Sequence, residues 1–105
     1  MTVKDMYEKV MLKKNVDIRS FINALNDTQD EVSSSYRVGT PDKILRLEDE
    51  ISIDVLFHNA MLDNVLFILG AGDSFKSEFL RKCHEAYKVL VGSKSKRRTL
   101  RRSGW

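Results

Sequence analysis

The fold is decided by residues 17–36, which read DIRSFINALNDTQDEVSSSY. The apolar side chains of this stretch stand at offsets 0, 3, 4, 7, 14 and 18, which is the spacing of one face of an α-helix. They are Ile18, Phe21, Ile22, Leu25, Val32 and Tyr36. Asp17 is the candidate N-cap, because an aspartate side chain at that position accepts a hydrogen bond from the first free backbone N–H groups. The stretch predicts an amphipathic helix whose apolar face must pack against other elements.

Two further stretches show helical spacing. The first runs from Thr2 to about Lys14, and Asp5 stands three residues after Thr2, as in a capping box. The other runs from Ser52, a good N-cap, to Leu69, and it has a main apolar stripe and a second apolar strip on another side. The stripe contains Val55, Leu62, Val65, Leu66 and Leu69, and the strip contains Phe57, Met61 and Ile68. A helix this apolar is expected to be buried on more than one face, in the core or against a neighbouring chain.

A fourth helix is expected to start at Asp73 or Ser74, to run to about Val91 and to be closed by Gly92. Its apolar residues are Phe75, Phe79, Leu80, Cys83, Tyr87, Leu90 and Val91. Gly70 and Gly72 are expected to end the third helix, because glycine tolerates a left-handed cap. The connection across residues 70–72 is short enough to make the third and fourth helices an antiparallel hairpin. The sequence therefore predicts an all-α fold, a small four-helix, bundle-like domain that contains a helical hairpin.

Charge divides the chain into two parts. The whole sequence carries 18 Lys and Arg against 15 Asp and Glu, for a net charge of +3. Residues 93–105 hold six of the cations and no acid, so residues 1–92 keep 12 cations against 15 acids, a net charge of −3. A split of this kind usually marks an interaction tail. We expect a helical domain at 1–92 and an extended, basic C-terminal arm at 93–105.

The basic arm is the feature that most suggests a partner. Its candidate contact residues are Lys94, Lys96, Arg97, Arg98, Arg101, Arg102 and Trp105. Such cations bind nucleic acid through its phosphates, and the indole of Trp105 can stack on a base. The same arm also suits an acidic protein surface on which it would become ordered, or it serves only as a solubilising end.

The sequence offers few groups for catalysis or metal binding. Neither His58 nor His84 has a second histidine or a cysteine at good ligand spacing, and we expect His58 to be a hydrogen-bonded core residue. Cys83, the single cysteine, falls on the apolar stripe of the fourth helix and is expected to be a packing residue. No serine or cysteine has a plausible base with an orienting partner. We therefore expect no enzyme activity, no metal and no cofactor.

Two observations concern surroundings and partners. The longest apolar stretch, residues 65–71, is far shorter than the roughly 20 residues that a membrane span needs, so no membrane association is expected. Glu48, Asp49 and Glu50 form an acidic cluster that is expected to be a solvated loop, available as an interface for a basic partner.

Two stretches carry a family resemblance. Residues 21–32, FINALNDTQDEV, contain an apolar-Asn-Ala-Leu step that leads to a Gln-Asp pair, and residues 47–53, LEDEISI, form an acidic step before a helix pair. In these features the chain resembles the head–tail connector proteins of tailed bacteriophages, also called neck or adaptor proteins. Together with their helices, the two stretches cover most of residues 17–91.

The resemblance implies a structural virion protein that forms an oligomeric ring on the portal ring and extends the DNA channel toward the tail. Its partners would be the portal protein, neighbouring copies of itself, a tail or stopper protein, and the DNA in the channel. It would act in the virion neck below the portal, after assembly in the host cytoplasm. By position, residues 93–105 would be an arm that reaches the portal. The second apolar strip of the third helix is then a candidate ring contact.

Two other functions fit the same residues. The first is a small nucleic-acid-binding regulator that uses a helix-turn-helix around residues 70–72 together with the basic tail. The mixed charges of the fourth helix, Glu78 and Glu85 beside Arg81 and Lys82, are unusual for a recognition helix. The second is a small helical partner of another protein, such as an inhibitor or antitoxin, whose tail would fold on its target.

Overall fold

The computed structural model describes the backbone of residues 1–103 and the side chains of residues 1–92. Over these residues the chain is helical and has no strand, so the predicted all-α fold is confirmed. The elements are α1 (Val3–Lys13), α2 (Ile18–Tyr36), the 3₁₀ turn η1 (Val55–Phe57), α3 (His58–Ile68) and α4 (Ser74–Ser103). The irregular segment between α2 and η1, residues 38–54, is called the strap below.

Side-chain caps set the N-termini of the first two helices, as the sequence predicts. At α1, Thr2 Oγ1 accepts a hydrogen bond from the backbone N–H of Asp5 at 3.0 Å, and Asp5 Oδ2 accepts one from the N–H of Thr2 at 3.3 Å. At α2, Asp17 Oδ2 accepts from the N–H of Ser20 at 3.1 Å. The hydrogen bonds from Thr2 hold the pKa of Asp5 below its usual range, so both caps persist at neutral pH.

The third helix starts later than its sequence pattern predicts. Ser52 does not cap it, because Ser52 Oγ instead accepts a hydrogen bond from the N–H of Asp42 at 2.9 Å. Asp54 caps the turn η1 by accepting from the N–H of Leu56 at 2.9 Å, and α3 follows from His58. Residues 55–57 form a 3₁₀ turn, so Val55 does not continue the apolar stripe of α3. Val55 is 66% exposed, and its assignment to the main stripe is wrong.

The connection between α3 and α4 is a Schellman motif. The N–H of Ala71 donates to the carbonyl of Leu66 at 2.9 Å, and the N–H of Gly70 donates to the carbonyl of Phe67 at 3.0 Å. Gly70 has a φ of +82°, a left-handed conformation that favours glycine. The predicted cap and hairpin are therefore confirmed.

The fourth helix extends beyond its predicted end. It is assigned to Ser103 and so passes Gly92, where the sequence predicts its closure. Glycine weakens a helix interior but does not end it without a left-handed turn. The predicted contact residues of the basic arm, from Lys94 to Trp105, lie outside the side chains that the structure describes.

The core is organised around α3, which packs on α1, α2 and α4. Its buried apolar residues come from all four helices, the strap and η1. They include Val3, Met6, Val10, Phe21, Leu25, Val32, Ile44, Ile53, Phe57, Met61, Val65, Leu66, Phe79 and Cys83. The buried face of α2 is rotated from the predicted one, since Ile18 is 45% exposed while Ala24, Thr28 and Gln29 are buried.

Candidate interaction surfaces

A polar cluster joins α2, α3 and α4 and extends from the buried core to the surface. Lys76 Nζ lies 2.6 Å from Glu31 Oε1 and donates to Asn64 Oδ1 at 3.1 Å. Asn64 Nδ2 donates to Thr28 Oγ1 at 2.9 Å and to Glu31 Oε2 at 3.1 Å. Lys76 Nζ also stands 4.8 Å from the centre of the Phe79 ring, within range of a cation–π interaction.

This cluster has a structural role that the sequence patterns miss. Thr28 and Asn64 are fully buried, so their polar atoms need partners inside the protein. The helical spacing places Glu31 away from the apolar face of α2, and its side chain stays 38% exposed while it contacts Asn64 and Lys76 at the edge of the core. The available signal was Asn64 itself, an amide directly before Val65 and Leu66 of the apolar stripe.

His58 and Cys83 are both buried in the core, as predicted. His58 is buried, and its Nε2 donates to the carbonyl of Ile53 at 2.8 Å. Burial is the main cause that lowers the pKa of His58, so this ring is neutral at pH 7. Cys83 is fully buried, and burial raises the pKa of its thiol to about 12. A protonated, inaccessible thiol is not a nucleophile.

The acidic cluster of the strap separates into two kinds of residue. Asp49 Oδ2 accepts hydrogen bonds from the N–H groups of Leu45 at 2.7 Å and Arg46 at 3.0 Å, which closes a turn and lowers the pKa of Asp49. Glu48 and Glu50 are exposed. Of the three carboxylates, Asp49 therefore has a local structural role, while Glu48 and Glu50 face solvent.

Side chains of the Asn-Ala-Leu and Gln-Asp stretch hold the strap against α2. Asn26 Nδ2 donates to the carbonyl of Ile44, and Asn26 Oδ1 accepts from the N–H of Ile44, both at 2.8 Å. Gln29 Nε2 donates to the carbonyl of Asp42 at 3.0 Å. These bonds satisfy the backbone of an irregular segment, and they leave a groove between α2 and the strap. The groove is lined by Asn23, Asn26, Asp27, Gln29, Asp30, Pro41 and Lys43.

A second surface presents exposed apolar side chains among charged ones. We call it the apolar flank and define it by Leu12, Val55, Leu56 and Val89, which are 85%, 66%, 42% and 55% exposed. Leu12 and Val55 line one shallow groove, Leu56 and Val89 line another, and Asn59 lies in the wall of both. The four side chains therefore form one neighbourhood, made from the end of α1, the turn η1 and α4.

The ring contact expected on α3 is mostly unavailable. Phe57 and Met61 are fully buried, because α3 is covered by helices on several sides. Of the predicted second strip only Ile68 is exposed. The exposed apolar surface lies instead on η1 and α4, which follows from the late start of α3.

The residues that the structure describes contain neither a metal-binding group nor a membrane-spanning helix. Within this part of the chain no group of three His, Cys, Asp or Glu side chains is placed to hold a metal ion. No helix among the described residues is long and apolar enough to cross a membrane. Comparison of the chain with protein-family models, with curated proteins and with solved structures finds no match.

Proposed function

We propose that this chain is a structural subunit of the head–tail connector of a tailed bacteriophage. In this proposal, neighbouring copies form a ring on the portal protein in the virion neck. The ring extends the DNA channel and offers a platform to a tail or stopper protein. The proposal rests on the resemblance of residues 21–32 and 47–53 to connector proteins, together with a surface suited to assembly.

The observation that carries the proposal is the apolar flank. Two of its members, Val55 and Leu56, are consecutive residues of η1, and both are exposed beside Val89 of α4. Exposed apolar side chains in one neighbourhood mark protein interfaces more often than isolated ones do. A subunit of 105 residues has a modest core and gains stability when neighbours cover such a surface.

The nucleic-acid-binding alternative has less support from the described helices. Arg81 on α4 is paired with Glu78 at 2.6 Å and with Glu85 at 3.1 Å, so its charge is locally neutralised. Contacts along α3 and α4 run in opposite order, with Asn64 near Lys76 and Asp63 near Lys82, as in an antiparallel hairpin.

The test is the mass of the full chain in solution, alone and with a candidate portal ring, by light scattering coupled to size exclusion. We expect a ring-sized species or co-elution with the portal. The double variant V55K/V89K should abolish that association, because it places charges in the centre of the flank. A monomer near 12.1 kDa that never joins a portal contradicts the proposal.

A matched control uses the same chemistry elsewhere. The variant L45K/L80K adds two lysines at exposed apolar positions outside the flank, and Leu80 is on the opposite side of α4 from Val89. It should associate like the unmodified chain. Equal loss in both double variants would mean that added charge, and not the flank, controls association.

A further inference from the structure

The groove between α2 and the strap contains a buried acceptor with no partner. Gln29 is 1% exposed although it lines the groove, which places it at the floor. Its Nε2 donates to the carbonyl of Asp42, so the orientation of the amide is defined and Oε1 points away from that bond. Among the residues whose side chains the structure describes, Gln29 Oε1 has no hydrogen-bond partner. A buried carbonyl oxygen in this state favours a ligand that donates a hydrogen bond.

The walls of the groove supply negative charge. Asp27 and Asp30 are exposed and lie one turn apart on α2, on the side that faces the groove. Among the described residues neither carboxylate forms a salt bridge. Lys43 is the one cation among the described residues of the lining, and its exposed, flexible stem allows the ammonium to turn toward solvent. The site is therefore rich in acceptors and matches a ligand that has several N–H donors and a positive charge.

Ammonium and guanidinium groups meet these requirements. Guanidinium presents five N–H donors in a planar fork that fits carboxylates, and ammonium presents three. A small divalent cation fits less well, because it requires about six oxygen ligands, whereas this groove has two carboxylates and an ammonium in its wall. The chemistry of the groove thus favours lysine or arginine side chains of a peptide.

We propose that this groove binds the basic segment of a second copy of the chain, residues 93–105. That segment contains six lysines and arginines and no acid, while the remaining 92 residues carry a net charge of −3. Two copies can therefore satisfy each other's charges by inserting a cation between Asp27 and Asp30, with a hydrogen bond to Gln29 Oε1. The inference goes beyond the proposed function, since it requires no portal.

The experiment uses the unmodified full chain. Equal amounts of ¹⁴N-labelled and ¹⁵N-labelled protein are mixed and treated with a carbodiimide, which joins a lysine ammonium to a carboxylate in contact with it. Peptide mass spectrometry should find Lys94 or Lys96 linked to Asp27 or Asp30 in mixed-isotope pairs. These links should exceed links to the exposed Glu48 and Glu50 by about ten-fold, the ratio expected for one charge-assisted contact.

Several outcomes overturn the inference. They are the absence of links to Asp27 and Asp30, equal linking to Glu48 and Glu50, and links found only within one copy. Two surface variants give an independent measurement at matched charge. D27N/D30N should weaken concentration-dependent association about ten-fold at low salt. E48Q/E50Q tests the acidic cluster of the strap as the competing site for a basic partner and should leave association unchanged. An equal effect of both variants would show only a general charge effect and would also overturn the inference.

Discussion

The hairpin of α3 and α4 and the strap are stabilised in opposite ways. The hairpin buries large apolar side chains such as Phe57, Met61 and Phe79, and a cap of backbone hydrogen bonds turns the chain between its helices. The strap has two buried apolar anchors, Ile44 and Ile53, and its backbone around Ile44 is held by amide side chains of α2. Burial gives the hairpin its stability, whereas directional hydrogen bonds give the strap its position.

The comparison shows which changes each region tolerates. In the hairpin, the loss of apolar volume is costly because tightly packed neighbours cannot close the gap. In the strap, the loss of one amide leaves backbone groups without partners, but water can reach many of them. Effects on stability should therefore decrease from the hairpin toward the strap.

The largest effect is expected from Phe57→Ala. This ring is fully buried at the start of the hairpin, so its removal should lower the free energy of unfolding by about 3–5 kcal/mol. Chemical denaturation with urea measures the change. Val55→Ala is the control, because this neighbouring side chain is mostly exposed and should change stability by less than about 0.5 kcal/mol. Similar losses in both variants would contradict the late start of α3.

A smaller loss is expected from Asn64→Ala, which breaks the polar cluster behind the hairpin. The change removes the donor to the buried Thr28 hydroxyl, which keeps its own bond to the carbonyl of Ala24, and it removes one partner of Lys76. We expect a loss of about 2–3 kcal/mol, the cost of unsatisfied buried polar groups. Thermal unfolding followed by circular dichroism measures it. Asn59→Ala, at an exposed position of the same helix, should be nearly neutral.

The strap should respond less in global stability and more in local opening. Asn26→Ala removes two hydrogen bonds to the backbone of Ile44, at a cost of about 1–2 kcal/mol. Amide hydrogen exchange at Ile44 should accelerate by about ten-fold or more. Asn23→Ala, on the same side of α2, removes no bond to the strap and should leave this exchange unchanged. Unchanged exchange in the Asn26 variant would show that burial of Ile44 alone holds the strap.

The smallest expected effect is the pH dependence of stability that comes from His58, at the junction of the strap and the hairpin. Burial lowers the pKa of His58 in the folded state, so the unfolded chain binds a proton more readily. The resulting stability is present above the unfolded pKa of about 6.5 and is lost as pH falls through and below that value. Urea denaturation between pH 7.5 and 5 should show this decline, and His58→Gln should flatten it. A stability that rises toward pH 5 in the unmodified chain would contradict the assignment.

Some of the interaction surfaces could be anticipated and some could not. Exposure of Glu48 and Glu50 follows from their charge, as expected for a solvated loop. The apolar flank could not be anticipated, because helical spacing alone assigned Val55 to the core. The flank is exposed because the cap is Asp54 and not Ser52, two residues earlier. Asp54 starts the 3₁₀ turn η1, and Val55 then no longer lies on the face of α3 that the spacing predicts. The groove at Gln29 also escaped prediction, since its walls lie more than ten residues apart in the chain.

The sequence by itself determined the all-α class, the caps at Thr2 and Asp17 and the glycine turn at Gly70. These features depend on side chains and backbone groups a few residues apart, so local spacing is sufficient to specify them. The tertiary structure decided which face of α2 is buried, where α3 begins, and that Glu31, Asn64 and Lys76 meet. Those outcomes depend on packing between distant segments, where burial and the need to satisfy buried polar groups override local preference.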